Sequence, residues 1–129
     1  MTTTTTTATT TAMTTAAGSL SLRIDLEAGG RIGPGKVELL ELIAAHGSIS
    51  EGARRMGMSY KHAWTLIEEM NRLFRKPVLS AKKGGQRGGG SELTALGLAI
   101  VTRYRAIERA AAAAAAPHIE ALRREIEAE

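Results

Sequence analysis

The stretch that decides the fold is residues 48–74, SISEGARRMGMSYKHAWTLIEEMNRLF. It predicts two short helices joined by a tight turn. Ser48 and Glu51 have the spacing of a capping box, so the first helix begins near Ile49. Gly57 ends this helix, because a residue that turns sharply out of a helix often takes a positive φ, which glycine adopts without steric cost.

The second helix of this stretch is capped by Ser59 and carries one buried face. Its apolar residues recur at spacings of four, three and four, and they are Ala63, Ile67, Met70 and Phe74. Ala53 is small where the two helices must touch. A small residue, a glycine four positions on and a following amphipathic helix are together typical of a helix-turn-helix.

The start of the second helix predicts a DNA-reading surface. In a helix-turn-helix this part enters the major groove, where lysine, hydroxyl and phenol groups contact base edges or phosphates. The side chains expected to point away from the core are Ser59, Tyr60, Lys61, His62 and Thr65. The alternative is an ordinary helical hairpin on which Tyr60 and His62 are half-exposed surface residues.

Three segments predict a small antiparallel sheet beside the helices. Residues 20–27 alternate apolar and polar side chains with the period of a half-buried strand. Residues 78–83 and 92–94 are the other strand candidates. We interpret residues 28–35 as a glycine-rich turn, followed by a helix that ends at Gly47.

The run GRIGPGKV, residues 30–37, is close to a Walker A loop, in which Lys36 would reach terminal phosphates. However, Val37 stands where a Mg²⁺-binding Ser or Thr is required, and no second metal-binding Asp follows an apolar strand. We therefore interpret the run as a tight turn with Lys36 on the first helical turn.

Residues 82–91, KKGGQRGGGS, predict a flexible basic tip between two strands, as in the wing of a winged helix-turn-helix. Glycines let the backbone approach a phosphate closely, and the cations Lys82, Lys83 and Arg87 would neutralise it. A solvated hairpin loop without a partner is the alternative.

Residues 48–91 hold nine Lys and Arg and three acids, a net charge of +6 in a chain of +4. The positive excess is thus confined to the motif and wing, as contact with a polyanion requires.

Thr94 caps a last helix with a long apolar stripe, which includes seven consecutive alanines and is interrupted at Pro117. The stripe has no core of its own to cover, so we expect it to pack against its copy in a homodimer on a palindromic site. The dimerisation residues predicted in this way are Leu96, Ile100, Tyr104, Ile107, Ile119 and Leu122. The alternative is a helix that folds back on its own domain.

The 129 residues contain no cysteine and no long apolar run, which indicates one small domain with an extension and no membrane segment. We expect a disordered Thr-rich tail at residues 1–18, a winged helix-turn-helix domain at 19–94 and a helical dimerisation extension at 95–129. Without a secretory signal the protein is expected to be cytoplasmic. The three histidines lack the spacing of a metal site, and no catalytic cluster is visible, so we predict no metal site, no cofactor and no enzyme. The sequence identifies no small-molecule effector site and leaves open whether molybdate or another effector is sensed.

The residues GMSYKHAW (57–64), EMN (69–71) and the GG-x-x-GGG wing resemble the N-terminal DNA-binding domain of the ModE-type molybdate-responsive transcription regulators, over roughly residues 20–109. The resemblance implies a mostly α winged helix-turn-helix dimer with a small antiparallel sheet. It places Ser59, Tyr60, Lys61 and Thr65 on DNA and Lys82, Lys83 and Arg87 in the wing, with Trp64 used for packing.

Members of that family also carry C-terminal molybdate-binding domains, and no residue here matches their oxyanion pocket. The sequence therefore predicts a sequence-specific DNA-binding regulator, with a link to molybdenum metabolism implied by the resemblance. The alternative is a protein-binding or heterodimerising module that uses the winged-helix fold without a DNA target of its own.

Overall fold

The computed structural model describes residues 18–27, 29–82 and 90–128. In these ranges the elements follow the order β1 (Ile24–Glu27), β2 (Gly30–Ile32), α1 (Pro34–His46), α2 (Ile49–Met56), α3 (Tyr60–Phe74), β3 (Leu79–Ala81), β4 (Ser91–Leu93) and α4 (Ala95–Glu127). The protein is mostly helical with short antiparallel strand pairs, which confirms the predicted fold class. Apart from Gly18, the predicted Thr-rich tail lies outside the described residues, as do Lys83 and Arg87 of the wing.

The chain divides into two compact units. The first is Arg23–Tyr104, and the second, as far as it is described, consists of residues 18–22 and 105–128. Helix α4 contributes its first ten residues to the first unit and its remainder to the second. No helix in the described ranges is both long and apolar enough to cross a bilayer.

The first unit is built around one apolar core. Helix α1 contributes most to it, because four of its residues at helical spacing are fully buried: Val37, Leu39, Leu40 and Ile43. The other buried apolar residues are Ile32, Ile49, Ala53, Ala63, Ile67, Met70, Val78, Ile100 and Tyr104. Burial of each large aliphatic side chain contributes about 1.5–3 kcal/mol, so this cluster sets the positions of the helices around it.

The strands are antiparallel as predicted, but their pairing was predicted wrongly. Strand β1 pairs with β2, with Ile24 opposite Ile32, and β3 pairs with β4 in a separate sheet, with Leu79 opposite Leu93. Strand β2 lies within the segment that was expected to be only a turn. Each pair joins strands that are neighbours in sequence, because a short loop costs little closure entropy.

The first strand is also shorter than predicted. It begins at Ile24 rather than at residue 20, and Leu26 is half exposed although the alternation placed it on the buried face. Its partner β2 has only three residues, so few positions of the alternating segment find a ladder partner. Asp25 pairs with Arg31 directly opposite it, 3.4 Å apart, which supports this register.

Helix α3 ends before Pro77, as predicted. Arg75 takes a φ of 60°, the left-handed conformation that ends a helix. The chain then returns to the core at Val78, whose backbone N–H donates to Asn71 Oδ1 at 2.9 Å. This hydrogen bond joins the end of α3 to the segment that leads into β3.

Thr94 caps α4, as predicted, and also fixes its position. Its hydroxyl accepts a hydrogen bond from the Gly97 N–H at 3.1 Å and donates to the Pro77 carbonyl at 2.9 Å. A Cβ atom on Gly97 would collide with the Val78 carbonyl oxygen and approach Leu93 to 3.3 Å. Only glycine therefore allows the first turn of α4 to lie this close to the β3–β4 hairpin.

The expectation that the α4 stripe has no core of its own to cover is wrong for its beginning. Ile100 and Tyr104 are buried in the core of the first unit, and Leu96 packs against it. Tyr104 retains only 2% of its exposure, so these side chains stabilise the chain's own fold. Along the rest of the stripe, Ile107 is 45% and Leu122 67% exposed.

Candidate nucleic-acid interface

The turn between α2 and α3 forms as its sequence predicts. The Ser48 hydroxyl accepts a hydrogen bond from the Glu51 backbone N–H at 3.0 Å and so caps α2. Gly57 ends the helix with a φ of 71°, and its N–H donates to the carbonyls of Ala53 and Arg54. Because a side chain at this φ would be strained, the glycine sets the sharp change of direction into α3.

The second half of the predicted capping box has a different role. The Glu51 carboxylate accepts hydrogen bonds from Arg54, at 2.5 and 3.2 Å, and from Arg55, at 2.8 Å. These bonds, from Arg54 first and Arg55 second, lower the pKa of Glu51 to about 2. They also raise the pKa of Arg54. The two arginines of α2 therefore share one compensating negative charge.

The two helices of the motif meet through small side chains. Ala53 on α2 and Ala63 on α3 are both buried. Gly52 faces α1, where an added Cβ would approach Ile43 to 2.9 Å. Helix α2 thus packs against both α1 and α3, and the first turn of α3 is exposed.

The first turns of α3 expose the side chains that were predicted to face DNA. Ser59 caps the helix, since its Oγ accepts the His62 backbone N–H at 3.0 Å. All five predicted side chains on this surface are exposed, namely Ser59, Tyr60, Lys61, His62 and Thr65. Their exposure makes contact with a ligand possible, and contact with DNA remains a prediction.

Tyr60 is supported by an aromatic neighbour. Its ring stands edge to face with that of Trp64, one helical turn later, with centroids 6.5 Å apart and an interplanar angle of 77°. Trp64 packs against the core while Tyr60 remains 53% exposed. The contact with Trp64 therefore favours this position of the Tyr60 ring. The spacing of four between the two aromatic residues was visible in the sequence as a signal for this contact.

The stem of the predicted wing is attached to the turn between α1 and α2. Strand β4 begins at Ser91, whose N–H donates to the Gly47 carbonyl at 2.9 Å. Across the hairpin, the Lys82 N–H donates to the Gly90 carbonyl at 3.0 Å. Lys82 is exposed at the end of this stem. These bonds position the stem of the predicted wing beside the turn between α1 and α2, whereas Lys83 and Arg87 lie outside the described residues.

The structure separates the cations of the motif and wing into paired and unpaired groups. Arg54 and Arg55 pair with Glu51, and Arg75 lies 3.8 Å from Glu27. Four cations form no ion pair with any acid of the described ranges: Lys61, Arg72, Lys76 and Lys82. The uncompensated positive charge therefore includes the first turn of α3 and the wing stem.

Lys36 of the Walker-like run lies on the first turn of α1, as interpreted from the sequence. Its Nζ is 3.1 Å from Glu69 Oε1 and donates to the Arg31 carbonyl at 3.0 Å. The ammonium group thus joins the start of α1 to α3 instead of facing an open phosphate site. Among the described residues, no three His, Asp or Glu side chains are grouped so as to hold a metal ion.

Comparison with known proteins shows similarity to ModE-type regulators. The DNA-binding transcriptional dual regulator ModE of Escherichia coli (strain K12) is 44% identical over 71 residues, 55% of this chain and 27% of that protein. The molybdenum transport protein ModE of Azotobacter vinelandii is 39% identical over 87 residues, 67% of this chain and 32% of that protein. The molybdenum-pterin-binding protein MopB of Rhodobacter capsulatus is 46% identical over 80 residues, 62% of this chain and 30% of that protein.

These matches confirm the resemblance of this chain to a ModE-type N-terminal domain. No protein-family model matches the chain. The chain spans about a third of the length of the curated relatives it matches. Their names describe regulators, a transport protein and molybdenum-pterin-binding proteins, and none of these names is that of an enzyme.

Proposed function

We propose that this chain, which resembles a ModE-type N-terminal domain, is a cytoplasmic, sequence-specific DNA-binding transcription regulator that acts as a homodimer. Helix α3 enters the major groove, and the glycine-rich basic wing follows the phosphate backbone. The observation that carries this proposal is the exposed first turn of α3, where Lys61 has no acidic partner in the described ranges and is flanked by polar and aromatic side chains.

Charge complementarity supports DNA as the ligand. Residues 48–91 carry a net charge of +6, and Lys61 and Lys82 lie in two exposed parts of this region. Two of the three acids of the region pair with cations other than these lysines, since Glu51 pairs with Arg54 and Glu69 with Lys36. A polyanion therefore meets cations whose charge is not already neutralised.

The residues proposed to contact DNA divide into two classes. On α3 the base-reading candidates are Ser59, Tyr60, Lys61, His62 and Thr65, and in the wing the phosphate-binding candidates are Lys82, Lys83 and Arg87. Lys61 is suited to either class because an ammonium group donates to guanine or to phosphate. The wing lysines and arginine are expected to contribute affinity without sequence preference.

Dimerisation is proposed through α4. Ile107 and Leu122 are exposed apolar residues of this helix, and the alanines of residues 110–116 leave a smooth surface for close helix packing. A symmetric dimer brings two copies of α3 to successive major grooves about 34 Å apart, which matches a palindromic site. We include a link to molybdenum metabolism because the names of the relatives refer to molybdenum.

Selection of bound duplexes from a random pool at near-physiological salt, with and without molybdate, tests this function. Enrichment of a palindrome supports a sequence-specific dimer, and a change with molybdate would show that this chain responds to it directly. The Lys61→Ala variant should enrich this site less strongly if the ammonium group contacts a base, and with the same preference if it contacts phosphate only. Binding without any enriched sequence, abolished as salt rises, would contradict the proposal and favour a partner-dependent module.

A further inference from the structure

We propose that Thr65 recognises the 5-methyl group of a thymine in the major groove, through its own methyl group and not through its hydroxyl. This inference rests on the proposed function, and it assigns a chemical role to one residue of the DNA-reading surface. The base opposite Thr65 is then thymine, which carries a methyl group in the major groove, and not a base that offers only hydrogen-bonding groups there.

Thr65 lies where a recognition helix contacts bases. It is the sixth residue of α3, which begins at Tyr60, and it follows Lys61 by one helical turn. Residues four apart lie on the same face of a helix, so Thr65 and Lys61 form one exposed row. The N-terminal part of a recognition helix carries the side chains that contact base edges.

The hydroxyl of Thr65 is already engaged within the helix. Its Oγ1 donates to the Lys61 carbonyl oxygen at 3.2 Å. A hydroxyl group has only one proton to donate. In this conformation the side chain therefore has no donor for the acceptor atoms of guanine, adenine or thymine, and it presents a methyl group and oxygen lone pairs.

Ser59 makes the contrast clear, because it is the other hydroxyl residue of this surface. Its Oγ accepts the His62 backbone N–H at 3.0 Å, so the bond uses a lone pair and leaves the hydroxyl proton available. Ser59 and Thr65 thus differ in whether the hydroxyl proton is still available to donate a hydrogen bond. Ser59 is able to donate to a base or a phosphate, whereas Thr65 has no proton left to donate and offers its methyl group and the lone pairs of its hydroxyl oxygen.

The thymine methyl is the apolar group that the major groove presents, and it is contacted in protein–DNA complexes by small apolar groups such as the threonine methyl. Donors already flank Thr65 on the same surface at Tyr60 and Lys61. The row therefore combines hydrogen-bonding residues with one methyl contact. Such a contact distinguishes thymine from cytosine, which carries a hydrogen in place of the methyl group.

The test uses the enriched palindrome with each thymine replaced in turn by uracil, which removes only the 5-methyl group. For the unmodified protein we expect one position per half-site to lose about fourfold in affinity, the value of one buried methyl group. Thr65→Val keeps the shape and a methyl group without the hydroxyl, and it should retain this thymine preference. Thr65→Ser keeps the hydroxyl without the methyl, and it should bind thymine and uracil equally at that position.

Each outcome discriminates between explanations. The inference is overturned, while the proposed function stands, by specific binding that is indifferent to uracil everywhere, by a thymine preference that survives in Thr65→Ser, or by one that disappears in Thr65→Val. If the unmodified protein selects no sequence at all, the proposed function fails and this inference fails with it. Because the substitutions are on an exposed helical surface, unchanged thermal unfolding of both variants serves as the control for folding.

Discussion

At the scale of single residues, Lys61 provides the most direct test of the DNA-reading surface. Lys61→Ala should weaken binding to the selected site by about 1–3 kcal/mol if the ammonium group contacts a base. Fluorescence anisotropy with specific and random duplexes measures the two affinities. A matched control is Lys76→Ala, which also removes one positive charge. Lys76 lies just beyond the far end of α3, about 20 Å from Lys61 along the helix axis at a rise of about 1.5 Å per residue.

The comparison between duplexes decides what Lys61 contacts. A decrease in affinity for the specific site that exceeds the decrease for random DNA indicates base contact. An equal decrease on both would contradict base reading and leave Lys61 as a phosphate ligand. If Lys76→Ala behaves like Lys61→Ala on the specific site, the effect is one of net charge rather than of position.

The lowered pKa of Glu51 predicts that the stability of the folded motif depends on pH. Its pKa is lowered from 4.5 to about 2 by hydrogen bonds from Arg54 and then Arg55. A carboxyl group whose folded pKa is depressed stabilises the folded state above its unfolded pKa, and this contribution is lost as pH falls through the folded pKa. The contribution is therefore full above about pH 4.5 and decreases towards pH 2.

NMR titration of the Glu51 side-chain carboxyl measures this directly. The midpoint should lie near 2 in the unmodified protein and move up towards 4.5 in Arg54→Gln, with a smaller upward shift in Arg55→Gln, since Arg54 is the larger cause. A midpoint of 4.5 in the unmodified protein would show that the two ion pairs do not persist in solution.

At the scale of elements, the wing is expected to contribute affinity through phosphates alone. Replacing its three cations with Gln should reduce the slope of log K against log salt by about 0.9 for each phosphate that is no longer neutralised, or about 2.7 for all three. Binding to the selected site, measured at several salt concentrations, gives this slope. The three cations are Lys82, Lys83 and Arg87.

A triple Gln variant on α4 serves as the charge-matched control for the wing, with Arg103, Arg109 and Arg124 as the residues replaced. It should leave the salt slope largely unchanged. If the wing variant shows the slope of the unmodified protein, the wing does not take part in the interface. The hairpin stem is expected to remain folded, because Ser91 keeps its backbone hydrogen bond to Gly47.

At the scale of the whole molecule, the proposed dimer depends on the part of α4 that does not cover the core. Ile107→Asp combined with Leu122→Asp should give a monomer, since a charge is costly to bury in a helix interface. Sedimentation velocity measures the oligomeric state, and the monomer should also lose its preference for a palindrome over a half-site. Leu98→Asp is the control, because Leu98 is an exposed leucine of the same helix, 58% exposed, outside the predicted stripe.

A double variant that remains dimeric would exclude these two residues from the interface. The same experiment separates the dimer from DNA recognition, because α3 is unchanged in the variant. Half-site binding by the monomer should persist at reduced affinity, and it should still depend on Lys61. Monomeric behaviour of the unmodified protein would contradict the proposed homodimer.

The features that the sequence alone determined are those in which the interacting groups lie within about one helical turn. Ser48 and Ser59 cap their helices because each hydroxyl meets a backbone N–H three residues later. Gly57 ends α2 through its own φ. The exposure of the α3 surface followed from helical periodicity, since the buried face at Ile67 leaves Lys61 and Thr65 outside.

Tertiary structure decided the features in which the partners are distant in sequence or compete for one residue. Strand β1 paired with β2, although the alternation of residues 20–27 suits several partners equally. The Glu51 carboxylate accepts hydrogen bonds from Arg54 and Arg55, and not from the backbone N–H at the start of the helix. Tyr104 is buried in the core, and Gly97 allows α4 to lie close to the β3–β4 hairpin. The periodicity of an apolar stripe does not specify which surface packs against it. Periodicity specifies which face of a helix is apolar, whereas packing selects its partner.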